Sequence, residues 1–285
     1  MKEQPVDANL SLGPPGIAFN GRDAPAAGLL DLPVRTRKPR AQGLTNVIDH
    51  GAATRAFCDI VASHADLIDV VKFGWGTSLV TKGLREKVEA LRAAGIAYCF
   101  GGTLFEKAVW QNRIEAYISF CRTFGCPAVE VSDGTIEMGR NERSTHIGRL
   151  KEAGFLVFAE VGHKDAARSL AMPASQWIEA IAQDLAAGAD FVILEARESG
   201  SSGICRGNGE LRLDLLDDIL GCGIPIERLV FEAPSKTIQE ELVKRIGANV
   251  NFGNIALDGI VGLETLRVGL RFDTFMHFEG KRHAK

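Results

Sequence analysis

Short apolar runs rich in β-branched residues recur along this chain, each followed by a longer stretch whose apolar positions have helical spacing. The runs fall at residues 44–49, 67–72, 96–100, 128–132, 155–161, from 191 onward, 228–232 and 250–252. Runs without apolar–polar alternation suit strands buried on both faces of a parallel sheet. The helical stretches are 53–62, 82–94, 113–124, 146–153, 174–187, 213–220, 237–246 and 262–271, and Gly95, Gly154 and Gly188 stop three of them. Eight strand–helix units between residues 44 and 276 predict a closed (β/α)8 TIM barrel, an α/β fold forming a single catalytic domain. An open doubly wound sheet is the alternative, but no GxGxxG follows the first strand.

The flanks read differently. Residues 1–43 are rich in proline, glycine and alanine and end in a basic cluster from Arg35 to Arg40. They are expected to form a flexible or surface-draped arm, with the cluster a solvated face. Residues 277–285 are a short basic tail.

The chemistry gathers where the predicted strands end. In a (β/α)8 barrel the carboxyl ends converge on one face and supply the catalytic residues. Here those ends carry Asp49, Lys72, Glu130 with Ser132 and Asp133, Glu160, Glu195 with Arg197, Glu232, and Asn251 with Asn254. Strand alternation places Ala128, Glu130 and Ser132 on one face, and Glu195 with Arg197 on another shared face. So many ionisable groups must be paired, metal-bound or solvated in a site. The acidic members are hard oxygen donors suited to Mg²⁺. Lys72, Lys164 and Arg197 supply positive charge, and Arg197 has the planar fork that matches carboxylate or phosphate. The glycine-bearing stretches 101–103, 200–203 and 251–254 offer backbone donors for anions near the strand ends. The whole suits a small, multiply anionic substrate with magnesium. Lys72 also admits a Schiff-base role. His163 reads equally as a ligand, a base or an exposed loop residue.

Composition narrows the class without changing this picture. A hydrophobic content of 46% and a net charge of −3 over 285 residues fit a globular protein and give no basic face for nucleic acid or membrane. The six cysteines are scattered without a CxxC, so reduced thiols rather than a zinc site are expected. Without an 18-residue apolar run or a secretory leader at the first residues, the expectation is a cytoplasmic protein. A homo-oligomer is expected for a barrel of this kind.

Seven motifs occur in order: KFGWGT (72–77), GGTLFE (101–106), EVSDG (130–134), EVGHK (160–164), EARESG (195–200), FEAP (231–234) and LETLRVGLR (263–271). Together they resemble the phosphosulfolactate synthase family over residues 44–275. The resemblance implies Mg²⁺-dependent addition of sulfite to phosphoenolpyruvate, giving (2R)-phospho-3-sulfolactate, an early step towards coenzyme M or sulfolactate. It further implies Lys164 as the proton donor, Lys72 and Arg197 as holders of phosphate and sulfite, and Glu130, Glu160 and Glu195 as magnesium ligands. Gly102, Ser132, Asp133, His163, Ser199, Gly200, Ser201, Asn251 and Asn254 are the expected substrate contacts. His163 stands where a second lysine is expected in archaeal members, and the long arm is unlike compact ones. The alternatives are a non-catalytic or stress-related barrel of the family, or a paralogue that adds another nucleophile to an enol phosphate.

Overall fold

The computed structural model describes residues 29–197 and 199–279. Eight parallel strands run in the order β3-β2-β1-β8-β7-β6-β5-β4. They are β1 (Thr45–Asp49), β2 (Val70–Phe73), β3 (Ala97–Phe100), β4 (Ala128–Val131), β5 (Leu156–Val161), β6 (Phe191–Leu194), β7 (Leu229–Glu232) and β8 (Phe252–Ala256). The two end strands β3 and β4 pack against each other, which makes the sheet a nearly closed (β/α)8 barrel. Ten helices surround it among the described residues: α1 (Thr54–His64), α2 (Leu84–Ala93), α3 (Gly102–Trp110), α4 (Ile114–Thr123), α5 (Arg140–Glu152), α6 (Ala166–Ala171), α7 (Ala174–Ala186), α8 (Leu213–Gly221), α9 (Lys236–Ile246) and α10 (Ile260–Arg267). Two of them, α3 and α6, are additions to the predicted pattern, and both follow glycine-bearing strand ends. No helix among the described residues is long and apolar enough to cross a membrane.

The two faces of each strand do different work. Outward residues such as Val71, Phe73, Val129, Val131, Val157 and Val192 join the large core between sheet and helices. Inward residues Val70, Cys99, Ala128, Phe158, Phe191, Ile193 and Val230 fill the barrel, with Phe158 and Phe191 stacked at 5.2 Å. With a side-chain period of two, the next inward position after Val70 is Lys72, after Ala128 is Glu130, after Phe158 is Glu160, after Ile193 is Glu195 and after Val230 is Glu232. One layer of charge therefore sits directly on the last apolar layer, at the carboxyl end of the barrel.

The opposite end is closed by the basic cluster, which corrects the expectation of a solvated face. Arg35 and Arg40 are buried, at 1% and 6% exposure. The Arg35 guanidinium donates to Glu264 (2.9 Å), to the Gly43 carbonyl (3.2 Å) and, very closely, to Asn249. Arg40 forms a forked pair with Asp69, whose carboxylate also receives the Thr45 amide. Beneath them Arg267 donates to the carbonyls of Ala248, Val250 and Leu44. These guanidiniums donate to backbone carbonyls at the amino ends of the strands. The remainder of the expected arm, 1–28, and residues 280–285 of the basic tail lie outside the described residues.

This strap has a measurable consequence. Arg35→Ala leaves Glu264 and Asn249 without their buried partner, a loss of about 3 kcal/mol for a broken buried pair. At this chain length the thermal midpoint falls by roughly 6–12 °C. A shift of less than about 2 °C in a circular-dichroism melt would mean that the strap contributes little.

Candidate active site

Lys72 is at the centre of the charged layer. Its Nζ lies 3.1 Å from Glu130 and 3.3 Å from Glu232. Burial alone favours the neutral amine, but the Glu130, Glu232 and Glu160 carboxylates outweigh it and hold the ammonium well above the ordinary lysine range. Each flanking carboxylate is fixed from its other side. Glu130 accepts the Gly102 amide at 2.7 Å, at the start of α3. A Cβ on Gly102 would lie 2.2 Å from Ser132 Oγ, so only glycine lets the amide approach. Glu232 accepts the amides of Ala196 (3.0 Å) and Arg197 (3.1 Å).

Beside this locked triad lie further buried carboxyl and carboxamide oxygens. Glu160 Oε1, Glu195 Oε2 and Asn254 Oδ1 are buried without a hydrogen-bond partner. Burial pushes the Glu195 carboxyl well above the usual carboxylate range, and the neighbouring Glu160 and Glu232 carboxylates push it further. Asn254 reaches this position through a left-handed backbone, φ 55°, within β8. Among the described residues no three His, Cys, Asp or Glu side chains form a metal-binding cluster. The open donor set here is two carboxylates and a carboxamide.

Lys164 enters from the loop after β5. Its Nζ lies 3.3 Å from Glu106 Oε1, and Glu106 is itself held by Ser132 Oγ (2.5 Å) and by the amides of Thr135 (2.7 Å) and Ile136 (3.0 Å). Burial works against the Lys164 charge, but Glu160, Glu106, Glu195 and Glu130 raise its pKa above the ordinary lysine value. Burial likewise works against the Glu106 charge, yet Lys164, Ser132 and the two amides bring its carboxyl below the usual range. Lys72, Glu130, Glu160, Lys164, Glu195, Glu232 and Asn254 line a cleft of about 390 Å³. Its uncharged side is Ile48, Gly74, Trp75, Gly101, Gly102 and Thr103.

Several expected site residues sit elsewhere. Arg197 does not share a strand face with Glu195, because β6 ends at Leu194 and Arg197 turns with φ 61°. Its side chain is exposed at the rim and donates to the Lys164 carbonyl at 3.4 Å. Asn251 precedes β8 at the opposite end of the barrel, accepting the Leu44 amide and donating to the carbonyls of Glu227 and Leu229. Asp49 turns away to Lys87 of α2. Ser199 and Gly200 border a separate groove against α9, with Ser199 Oγ 2.6 Å from Ser201 Oγ. Ser132 reaches the cleft through Glu106. Asp133 and His163 line an adjoining cleft of about 740 Å³ that shares Glu160 with the first.

Two participants escaped the strand-end reading because they come from helices. Glu106 is on α3 inside GGTLFE, and the spacing from Gly102 that closes one helical turn was its available signal. Arg143 is on α5, which begins before the predicted 146. It forms a forked pair with Asp184, reaches Asp133 at 2.9 Å and donates to the Glu160 carbonyl at 2.7 Å. The ends of β4 and β5 are thereby tied together.

Residues 33–273 match the family described as (2R)-phospho-3-sulfolactate synthase (ComA). The chain belongs to the phosphosulfolactate synthase family. Members of the family are enzymes, and two relatives show how evenly the likeness is spread. The phosphosulfolactate synthase of Bacillus subtilis (strain 168) is 48% identical over 246 residues, 86% of this chain and 97% of the relative. That of Methanocaldococcus jannaschii is 40% identical over 82% of this chain and 94% of the relative. Protein HEAT-STRESS-ASSOCIATED 32 of Arabidopsis thaliana is more distant, at 25% identity over 82% of this chain and 88% of its own length. Among solved structures, a 3-hexulose-6-phosphate synthase superposes with a TM-score of 0.50 at 14% identity, covering 79% of this chain and 97% of that one. That likeness speaks to the fold alone. The family match starts at residue 33 and so takes in the strap that carries the buried Arg35 and Arg40.

Proposed function

We propose that this chain catalyses the Mg²⁺-dependent addition of sulfite to phosphoenolpyruvate, forming (2R)-phospho-3-sulfolactate as an early intermediate towards coenzyme M or sulfolactate. The observation that carries the reading is the charge layer, with two ammoniums held by carboxylates beside buried oxygens that have no partner. The four carboxyl groups Glu130, Glu160, Glu195 and Glu232 outnumber the ammoniums Lys72 and Lys164, and burial together with this acidic excess raises the Glu195 pKa. An anionic substrate needs that excess neutralised, and a divalent cation does so. Glu160, Glu195 and Asn254 have the free hard oxygens to hold Mg²⁺, which keeps waters or substrate oxygens in its other positions. Glu130, engaged by Lys72 and Gly102, serves that site by orienting its neighbours. When bound, the metal supplies Lewis-acid stabilisation of charge on the substrate carboxylate.

The remaining chemistry belongs to the chain. Sulfite adds through sulfur to C3 of the enol, and the π electrons move to C2 and the carboxylate. Lys164 then gives its proton to C2 on one face. Its raised pKa keeps it charged at neutral pH, and a carbanion-like centre is basic enough to take the proton. Arg197 at the rim and Lys164 within supply the positive field that lets phosphate and sulfite approach each other. Lys72, clamped by two carboxylates, supplies fixed countercharge on the floor of the cleft. The same clamp disfavours a Schiff-base role, which requires a neutral amine.

The test is an assay of purified protein with phosphoenolpyruvate, sulfite and Mg²⁺, following loss of the enol absorbance and the mass of the product. Phosphosulfolactate is expected, with formation stopped by EDTA and restored by excess Mg²⁺. Unchanged phosphoenolpyruvate under these conditions refutes the reaction, and turnover indifferent to EDTA refutes the metal.

A further inference from the structure

Trp75 lies at the mouth of the cleft in a strained backbone conformation. A bulky residue with φ 53° and ψ 23° occupies left-handed space normally left to glycine, and Gly76 continues that turn with φ 69°. The indole is 53% exposed, yet it lines the cleft and stacks on His50 with ring centroids 4.1 Å apart and planes 9° from parallel. Strain and exposure together at one aromatic residue mark a functional position.

The stack is also braced from behind. Asp49, next to His50, accepts the amides of Gly51 (2.9 Å) and Ala52 (2.8 Å) through one oxygen and pairs with the fully buried Lys87 through the other. Thr77 Oγ1, just beyond Trp75, donates to the Asp49 carbonyl at 3.4 Å. The loops after β1 and β2 are thus fastened together where the two rings meet.

The cleft is divided by charge. Glu130, Glu160, Lys164, Glu195 and Glu232 enter from β4 to β7 and their loops, and Lys72 leans from β2 towards Glu130 and Glu232, whereas Ile48, Gly74, Trp75 and Gly101 add uncharged lining from β1 to β3. An enol phosphate carries charge on its carboxylate and phosphate, and its one apolar end is the methylene carbon, C3. Resting on the function proposed above, we infer that Trp75, held in place by His50, is a specificity-determining wall that receives the C3 methylene edge-on. The wall admits hydrogen at C3 and excludes larger substituents. Edge-on seating leaves the faces of the double bond open to sulfite.

The test compares kcat/KM for phosphoenolpyruvate and for its 3-methyl homologue, with sulfite and Mg²⁺, in wild type, Trp75→Ala and His50→Ala. Wild type should strongly prefer the parent substrate. Trp75→Ala should narrow that preference by at least about tenfold, the lower end of what one extra methyl commands in an apolar pocket. His50→Ala should narrow it in the same direction by less. If both substrates lose the same factor in Trp75→Ala, the wall does not set specificity and the inference is overturned. Trp75→Gly guards against a folding artefact, because glycine takes this backbone without strain. It should match Trp75→Ala in selectivity while keeping a wild-type melting profile, and selectivity unchanged in that variant also overturns the inference. Wild type that fails to consume phosphoenolpyruvate refutes the reaction itself, and this inference falls with it.

Discussion

Lys164→Met lowers kcat by about 10²–10⁴, the usual contribution of a positioned general acid, while the thermal midpoint stays close to that of wild type. The stability half of this expectation follows from geometry. Lys164 is 29% exposed, and Glu106 retains Ser132 Oγ and two backbone amides after the ammonium is gone. On the proposed reaction, substrate affinity should fall much less than kcat, because Arg197 and a bound divalent cation would still attract the anions. Steady-state kinetics with a parallel melt checks both halves. A loss of kcat smaller than about tenfold would remove Lys164 from proton transfer and leave it as a binding charge.

Lys72→Met acts in the opposite way, through the fold first. Removing the ammonium leaves Glu130 and Glu232 facing each other in a buried layer, and breaking such a pair costs about 3–5 kcal/mol. In a chain of this size the midpoint drops by roughly 6–20 °C, with activity lost as well. The double variant Lys72→Met with Glu232→Gln should recover part of the stability by removing one uncompensated charge, and none of the activity. Thermal melts of the single and double variants, read as a cycle, decide the matter. Equal midpoints in Lys72→Met and wild type would mean that the triad is not the countercharge network described above.

These expectations separate Lys164, which acts on the substrate, from a structural floor around Lys72, and the sequence distinguishes the two only in part. Lys72, Glu130, Glu160, Glu195 and Glu232 were legible as one set. Each lies two residues beyond an apolar inward residue of its strand, a local spacing that survives in any closed barrel. The motifs were legible for the same reason, since each spans one strand end and its loop. Arg197 was misplaced because alternation holds only while the strand lasts, and β6 stops at Leu194. Asn251 was misplaced by a shift of β8, which begins only at Phe252 and so leaves Asn251 at the wrong end of the barrel. Arg35 and Arg40 resembled solvated charge because their partners, Glu264, Asn249 and Asp69, are distant or unremarkable in sequence.

What the sequence determined by itself is the class of fold and the presence of a charged ring at one end of it. Both follow from short-range periodicity, which needs no knowledge of distant contacts. Only the tertiary structure decided which charges are used up and which are left over. Lys72 is consumed by Glu130 and Glu232, Asp49 by Lys87 and Asp133 by Arg143, whereas Glu160, Glu195 and Asn254 keep free oxygens. That division depends on pairs from different strands and helices meeting in a low-dielectric layer. There, a partner within about 3 Å fixes a charge in place, and its absence leaves the group free to bind.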